Sequence, residues 1–125
     1  MKTVSMTTPG QTKGRIAEEQ ALIFLQTHGL RLIERNYRCR YGEIDLIMED
    51  GRAIVFVEVR YRGSLQFGGA LESVDRRKQA KLLASATYFL REKRMDRPAR
   101  FDVAALSPAS GGLTVKWVKD AFQAA

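Results

Sequence analysis

Two alternating apolar runs, Glu43–Glu49 and Arg52–Tyr61, meet at Asp50-Gly51, and no other stretch restricts the fold as strongly. Asp-Gly between such runs signals a hairpin, because both residues tolerate the positive φ that a tight two-residue turn demands. With Asp50 and Gly51 as the loop, Glu49 opposes Arg52, Ile47 opposes Ile54, Asp45 opposes Phe56 and Glu43 opposes Glu58. Directly opposed residues point to the same side of a sheet. One face then collects Ile44, Leu46, Met48, Ala53, Val55, Val57 and Val59, a wholly apolar set that selects this register over a one-residue slip. The other face carries Asp45, Glu58 and Arg60 among Ile47, Ile54 and Phe56.

Around this hairpin the periodicity alternates between helical and extended. Arg15 to His28 is helical, with Ala17, Ala21, Phe24 and Leu25 in one stripe, Leu22 on its flank, and Gly29 as the C-cap. Leu30 to Arg38 is extended. A Gly-rich loop (Gly63, Gly68, Gly69) leads to a second helix over Leu71 to Lys93, whose Val74, Leu82, Ala86 and Phe89 share a face. Two more strands follow, Arg100 to Leu106 and Leu113 to Val118, separated by Ser107 to Gly112. The order is αβββαββ. At 125 residues one domain is expected, over 14–125, with 1–13 as a flexible N-terminal tail of low hydrophobicity.

Lys plus Arg number 21 against 14 acids, a formal net charge of +7, which points to a polyanionic partner, most often nucleic acid, or to an anionic membrane surface, with a merely soluble basic surface as the plainer reading. The longest uninterrupted apolar stretch, Ala53 to Val57, is far below the roughly 20 residues a membrane span needs, and no secretory h-region opens the chain. No membrane association and a cytoplasmic location are expected. The single Cys39 cannot close an intramolecular disulfide and has no metal-ligand spacing around it. His28 is the only histidine, which leaves Ser/His/Asp or Cys/His catalysis without its parts, and Gly68-Gly69 lacks a phosphate-loop context.

Glu43, Asp45 and Glu58 on a partly apolar face are costly unless counter-charged or metal-bound. As diagonal neighbours, Asp45 and Glu58 lie within roughly 7–8 Å, close enough to hold Mg²⁺ or Mn²⁺ between their oxygens. Arg60 points to the same side, where it can stabilise charge developing on a phosphate, and Glu18 can reach the acids from the first helix. A second reading stays open: these carboxylates pair with Arg52, Arg60 and other basic side chains on a solvated face. Lys78 lies on the stripe of Val74 and Leu82, either reaching the acidic face or snorkelling at the helix edge. Tyr61 and Arg62 either contact a nucleic-acid backbone or end a solvated strand. Trp117 alternates with Leu113 and Val115 as a core residue would, and Asp102 supports either the core or the site.

The strings Gly42-Glu43-Ile44-Asp45-Leu46-Ile47 and Val55-Phe56-Val57-Glu58-Val59-Arg60-Tyr61-Arg62, with Arg100-Phe101-Asp102-Val103, closely resemble the YraN family of small bacterial proteins, from about Gly14 to Phe122. That family looks like a branch of the PD-(D/E)xK nuclease superfamily, near the archaeal Holliday junction resolvases. The resemblance implies an α/β, restriction-endonuclease-like αβββαβ core, a mixed central sheet flanked by helices, here with one additional C-terminal strand. It also implies a Mg²⁺- or Mn²⁺-dependent DNA endonuclease acting on branched DNA. By this resemblance Asp45 and Glu58 are metal-binding acids, the Val59 carbonyl a further ligand, and Glu18 the helix-borne glutamate. Arg60 takes the place of the motif lysine, a departure that leaves an electrostatic role and removes any role as a base. Ile44 stands where the motif name has proline. The runner-up is a non-catalytic nucleic-acid-binding module that keeps the nuclease fold; a scaffold whose charge serves solubility is third. A homodimer is compatible with the sequence.

Overall fold

The computed structural model describes residues 13–62 and 74–123. Their order is α1 (Lys13–Thr27), β1 (Arg31–Cys39), β2 (Gly42–Asp50), β3 (Ala53–Tyr61), α2 (Arg76–Glu92), β4 (Ala99–Ala109) and β5 (Gly112–Phe122). The strands form one sheet in the order β1-β2-β3-β4-β5. All neighbours are antiparallel except β3 and β4, which are parallel and joined through α2. The α/β class, the mixed sheet, the αβββαβ order and the added C-terminal strand are those expected. Residues 1–12 of the expected tail, and the Gly-rich loop with the start expected for the second helix at Leu71, lie outside the described residues.

Each helix covers one face of the sheet with the stripe its periodicity predicts. Ala17, Ala21, Leu22 and Leu25 of α1 pack on Leu46, Met48, Val55, Val57, Ala104 and Leu106. Leu82, Ala86 and Phe89 of α2 pack, with Val74, on Ile47, Ile54, Phe56, Phe101 and Val103. Phe89 stands edge-on to both Tyr37 and Phe56, at ring-centroid distances of 5.0 and 6.0 Å. Alternation along the central strands therefore supplies both cores at once.

Three sequence expectations are corrected. The hairpin pairs Leu46 with Val57, Ile47 with Phe56, Glu49 with Ile54 and Asp50 with Ala53, so the turn residues are Gly51 and Arg52, not Asp50 and Gly51. Gly51 has φ +60 at the first central position, which a Gly-X turn satisfies as well as Asp-Gly does. Arg97 fixes that choice by donating to the carbonyls of Arg52 and Gly51 at 2.9 and 3.1 Å, while Asp50 is drawn into the strand by Arg100, 3.0 Å away. Because the change preserves parity, the two faces keep almost all of their members. The exceptions are Asp45, which opens into a cleft beside α1, and Ile44, which leaves the α1 side and packs with Tyr37 and Ile47 under α2. Its strand partner segment explains why: Asn36 of β1 adopts φ +55, which breaks the alternation opposite Asp45.

The second helix starts at Arg76 because the Asp75 side chain accepts from the Lys78 N–H at 2.9 Å and caps it. Finally, β4 and β5 run longer than expected, absorbing Ser107–Ala109 and Gly112, so that only Ser110 and Gly111 turn.

Candidate active site

At one end of the hairpin the β2–β3 ladder closes at Leu46 and Val57, and the next residues outward are Asp45 and Glu58. The revised register thus places the two acids at the same level instead of diagonally. The Val59 N–H donates to Asp45 Oδ2 at 2.8 Å, so this carboxylate occupies the gap where the strands part. Glu58 is 5% exposed, on the α2 side. Its Oε2 lies 3.2 Å from Arg60 Nη2 and 3.6 Å from Lys78 Nζ, which descends from the first turn of α2.

On the α1 side Asp45 opens into a cleft of about 610 Å³, lined also by Arg15, Glu18, Asn36, Arg38 and Glu43. Glu18 faces Arg35 Nη2 at 3.8 Å, and Glu43 pairs with Arg38 at 3.1 Å. The acidic pair therefore sits between the helices. Glu18 contributes from α1, Lys78 from α2.

The electrostatics follow from burial. Loss of water, then the Glu58 charge, push the Asp45 carboxyl up to about 7, with Glu18 adding to the rise and the Val59 amide and Lys78 opposing it. Glu58 is likewise raised by burial, against the pull of Lys78 and Arg60 and a hydrogen bond with Asp45. Burial and the neighbouring like charge thus both favour the protonated form of Asp45.

Such a pair suits a hard divalent cation, which supplies the missing positive charge to oxygen donors. Among the described residues no third His, Cys, Asp or Glu completes a metal-holding cluster. The donor set therefore fits Mg²⁺ or Mn²⁺ held by one or two carboxylates, with water and phosphate oxygens filling the remaining positions. Glu18 lies close enough to act on Asp45 electrostatically but is not a third ligand of that cluster.

The structure brings together four of the sequence-nominated residues, Asp45, Glu58, Arg60 and Lys78, and sets Glu18 at the rim. Tyr61 is half-buried against the α1-side core. Arg62 is half-buried, its backbone N–H donating to the Leu106 carbonyl at 2.8 Å and its side-chain Nε lacking a hydrogen-bond partner. Asp102 is fully buried and far from solvent. It accepts from Arg100 Nε and Nη2, from Trp117 Nε1 and from the Asp120 N–H, all at 2.9–3.1 Å. Trp117 accordingly serves the core. His28 lies just past α1, its Nδ1 2.8 Å from the Phe24 carbonyl. Sequence reasoning missed Asn36, Arg35 and Arg38; only the tolerance of Asn for positive φ could have singled out the first.

A model of an uncharacterised protein family, UPF0102, matches residues 17–106. A UPF0102 protein of Methylococcus capsulatus is 50% identical over 111 residues, covering 89% of this chain and 90% of that one. Another, from Pseudomonas syringae pv. tomato, is 53% identical over 119 residues, covering 90% and 93%. Among solved structures, Pyrococcus furiosus SfsA in complex with Ca²⁺ aligns with 85% of this chain and 60% of that chain, at 15% identity and a TM-score of 0.32. That likeness carries no weight for the site.

Proposed function

The chain belongs to the uncharacterised protein family UPF0102, and within it we propose a metal-dependent DNA endonuclease that hydrolyses phosphodiester bonds. The observation that carries this reading is the Asp45–Glu58 pair: Glu58 buried and Asp45 half-buried, both with raised affinity for protons, flanked by Arg60 and Lys78, and open to a cleft. Buried carboxyls with strongly raised affinity for protons concentrate at functional sites. The net charge of +7 supplies the attraction for a polyanion.

Asp45 and Glu58 would hold Mg²⁺ or Mn²⁺, with the Val59 carbonyl as a further ligand. When bound, that cation neutralises phosphate charge and makes a coordinated water acidic. The Val59 amide fixes the Asp45 carboxylate in orientation. Arg60 and Lys78 oppose the effect of burial on Glu58 and offer positive charge to the scissile phosphate, and Arg60 cannot act as a base. Glu18, restrained by Arg35, orients water at the cleft rim. Branched DNA is the substrate class suggested by the resemblance to junction resolvases.

One observation favours a second reading, a nucleic-acid-binding module without catalysis. Arg60 and Lys78 already compensate Glu58, which would let the carboxylate stay buried with no cation present. The deciding experiment incubates the protein with linear, flapped and four-way DNA, with and without Mn²⁺ or Mg²⁺, beside an Asp45→Asn control. Metal-dependent cutting that the control lacks is the expected result. Binding without cutting of any form selects the module, and no binding at low salt removes both readings.

A further inference from the structure

Away from the acids, two large aromatic side chains stand in solvent: Tyr41 is 44% exposed and Tyr88 38%. Their rings lie 5.9 Å apart at 61°. The Arg40 guanidinium sits over the Tyr41 ring, 5.5 Å from its centroid. The tyrosines border a hollow of about 390 Å³ whose floor is Ala80, Leu83 and Ala84 and whose far wall is Arg91.

This arrangement is built, not incidental. Tyr41 belongs to the β1–β2 turn, which reaches α2 because the next residue is glycine. Gly42 has φ +148, and a Cβ there would stand 3.4 Å from Ser85 Oγ and 3.8 Å from Lys81 Cβ. Those are ordinary contact distances, so it is the positive φ, which side-chain-bearing residues rarely adopt, that calls for glycine at this turn.

The surroundings identify the ligand. Helix α2 carries Arg76, Arg77, Lys78, Lys81 and Arg91 against one acid, Glu92, which accepts from the Tyr37 hydroxyl at 3.1 Å. Apolar rings framed by cations, with no carboxylate among the described residues that line the hollow, suit a polyanion with π-faces. Single-stranded nucleic acid is such a ligand, since every base stacks on an aromatic ring and every phosphate answers a cation.

We propose that Tyr41 and Tyr88 form a stacking subsite for an unpaired nucleobase, on the same helix whose first turn delivers Lys78 to Glu58. Lys78 and Tyr88 are ten positions apart, roughly 15 Å along the helix axis. At about 3.4 Å per stacked nucleotide that spans on the order of four nucleotides. The subsite rests on the endonuclease reading for its meaning. It defines the substrate as DNA with a single-stranded segment a few nucleotides from the phosphate that is cut.

The test needs no cleavage. Fluorescent dT12 and an abasic oligomer of equal length are titrated with protein by anisotropy, at one salt concentration and without divalent metal. The wild type should bind dT12 about tenfold tighter, one base's worth of stacking. Tyr41→Ala/Tyr88→Ala should erase that preference, and Tyr41→Phe/Tyr88→Phe should keep it. A wild type that does not distinguish the oligomers, or an alanine variant that still does, overturns the subsite. The wild-type comparison stands even where the alanine variant is unstable. Loss of the subsite leaves the endonuclease reading intact, whereas a tyrosine-dependent preference in a protein that never cuts removes catalysis alone.

Discussion

Among the described residues, Asp102 and the Asp45–Glu58 pair are acidic centres drawn into the fold, and they are satisfied in opposite ways. Asp102 accepts four hydrogen bonds, two of them from the paired Arg100, which accounts for nearly all of its lone-pair capacity. Asp45 accepts one from Val59 and confronts a second carboxylate. Both centres cost desolvation, yet only the first recovers it from the protein alone. Asp102 is fully partnered, whereas the half-buried Asp45 is left short of donors.

The contrast is broken most directly by activity. Asp45→Asn, which keeps an acceptor for the Val59 amide, should lower single-turnover cleavage about a thousandfold, ~4 kcal/mol of barrier, without lowering Tm. Residual cutting within tenfold of wild type would return Asp45 to a structural role. Next comes Asp102→Ala, which strands Arg100 and should cost ~3 kcal/mol of stability in urea unfolding, while cleavage per folded molecule stays at the wild-type value. A variant of full stability would show that the four bonds are worth little.

A smaller effect concerns pH. Asp45 binds its proton more tightly in the folded chain, at about 7, than at its ordinary 3.8. The folded state therefore holds the extra proton, and stability is lost as pH rises from about 4 through 7. Without divalent metal, wild-type Tm should fall from pH 5 to pH 8, and Asp45→Asn should flatten the slope, gaining ~2 kcal/mol relative to wild type at pH 8. Mn²⁺ at pH 8 should raise the Tm of the wild type alone. Identical pH profiles for the two proteins would mean that the acids are better paired than their surroundings indicate. The smallest effect belongs to the cations: Arg60→Ala should lose about tenfold in normalised cleavage, ~1.4 kcal/mol, and Arg60→Lys should recover most of it. Unchanged cleavage in the alanine variant would assign Arg60 to pairing Glu58 and nothing more.

Much of this was legible in the chain because parity survives errors of detail. The hairpin turn is centred one residue later than Asp50-Gly51 suggests, yet Leu46, Val55 and Val57 still face α1, and Ile47, Ile54 and Phe56 still face α2. What was not legible depends on partners distant in sequence. Arg97 and Arg100 settle the turn from more than forty positions away. The displacement of Ile44 follows from one dihedral at Asn36, which no hydrophobic pattern encodes. Asp102 read equally well as site or support, since its character is set by Trp117 and by the backbone of Asp120. The acids themselves were visible because charge on an apolar face is a local anomaly. Their mutual effect on proton affinity was not, because it needs the three-dimensional proximity that the corrected register supplies.

The backbone that Asp102 holds has a consequence beyond its own stability. Between Phe101 and Val103 the β4–β5 register shifts by two residues, with Asp120 at φ +52 and its N–H anchored on the buried carboxylate. This irregularity lies on an edge strand of the sheet, alongside the exposed Lys116 and Lys119. A kinked, lysine-bearing border is a poor template for a neighbouring chain to extend by strand addition. The carboxylate that looks most purely internal therefore also shapes the outer border of the sheet, through the one backbone amide of Asp120 that it holds.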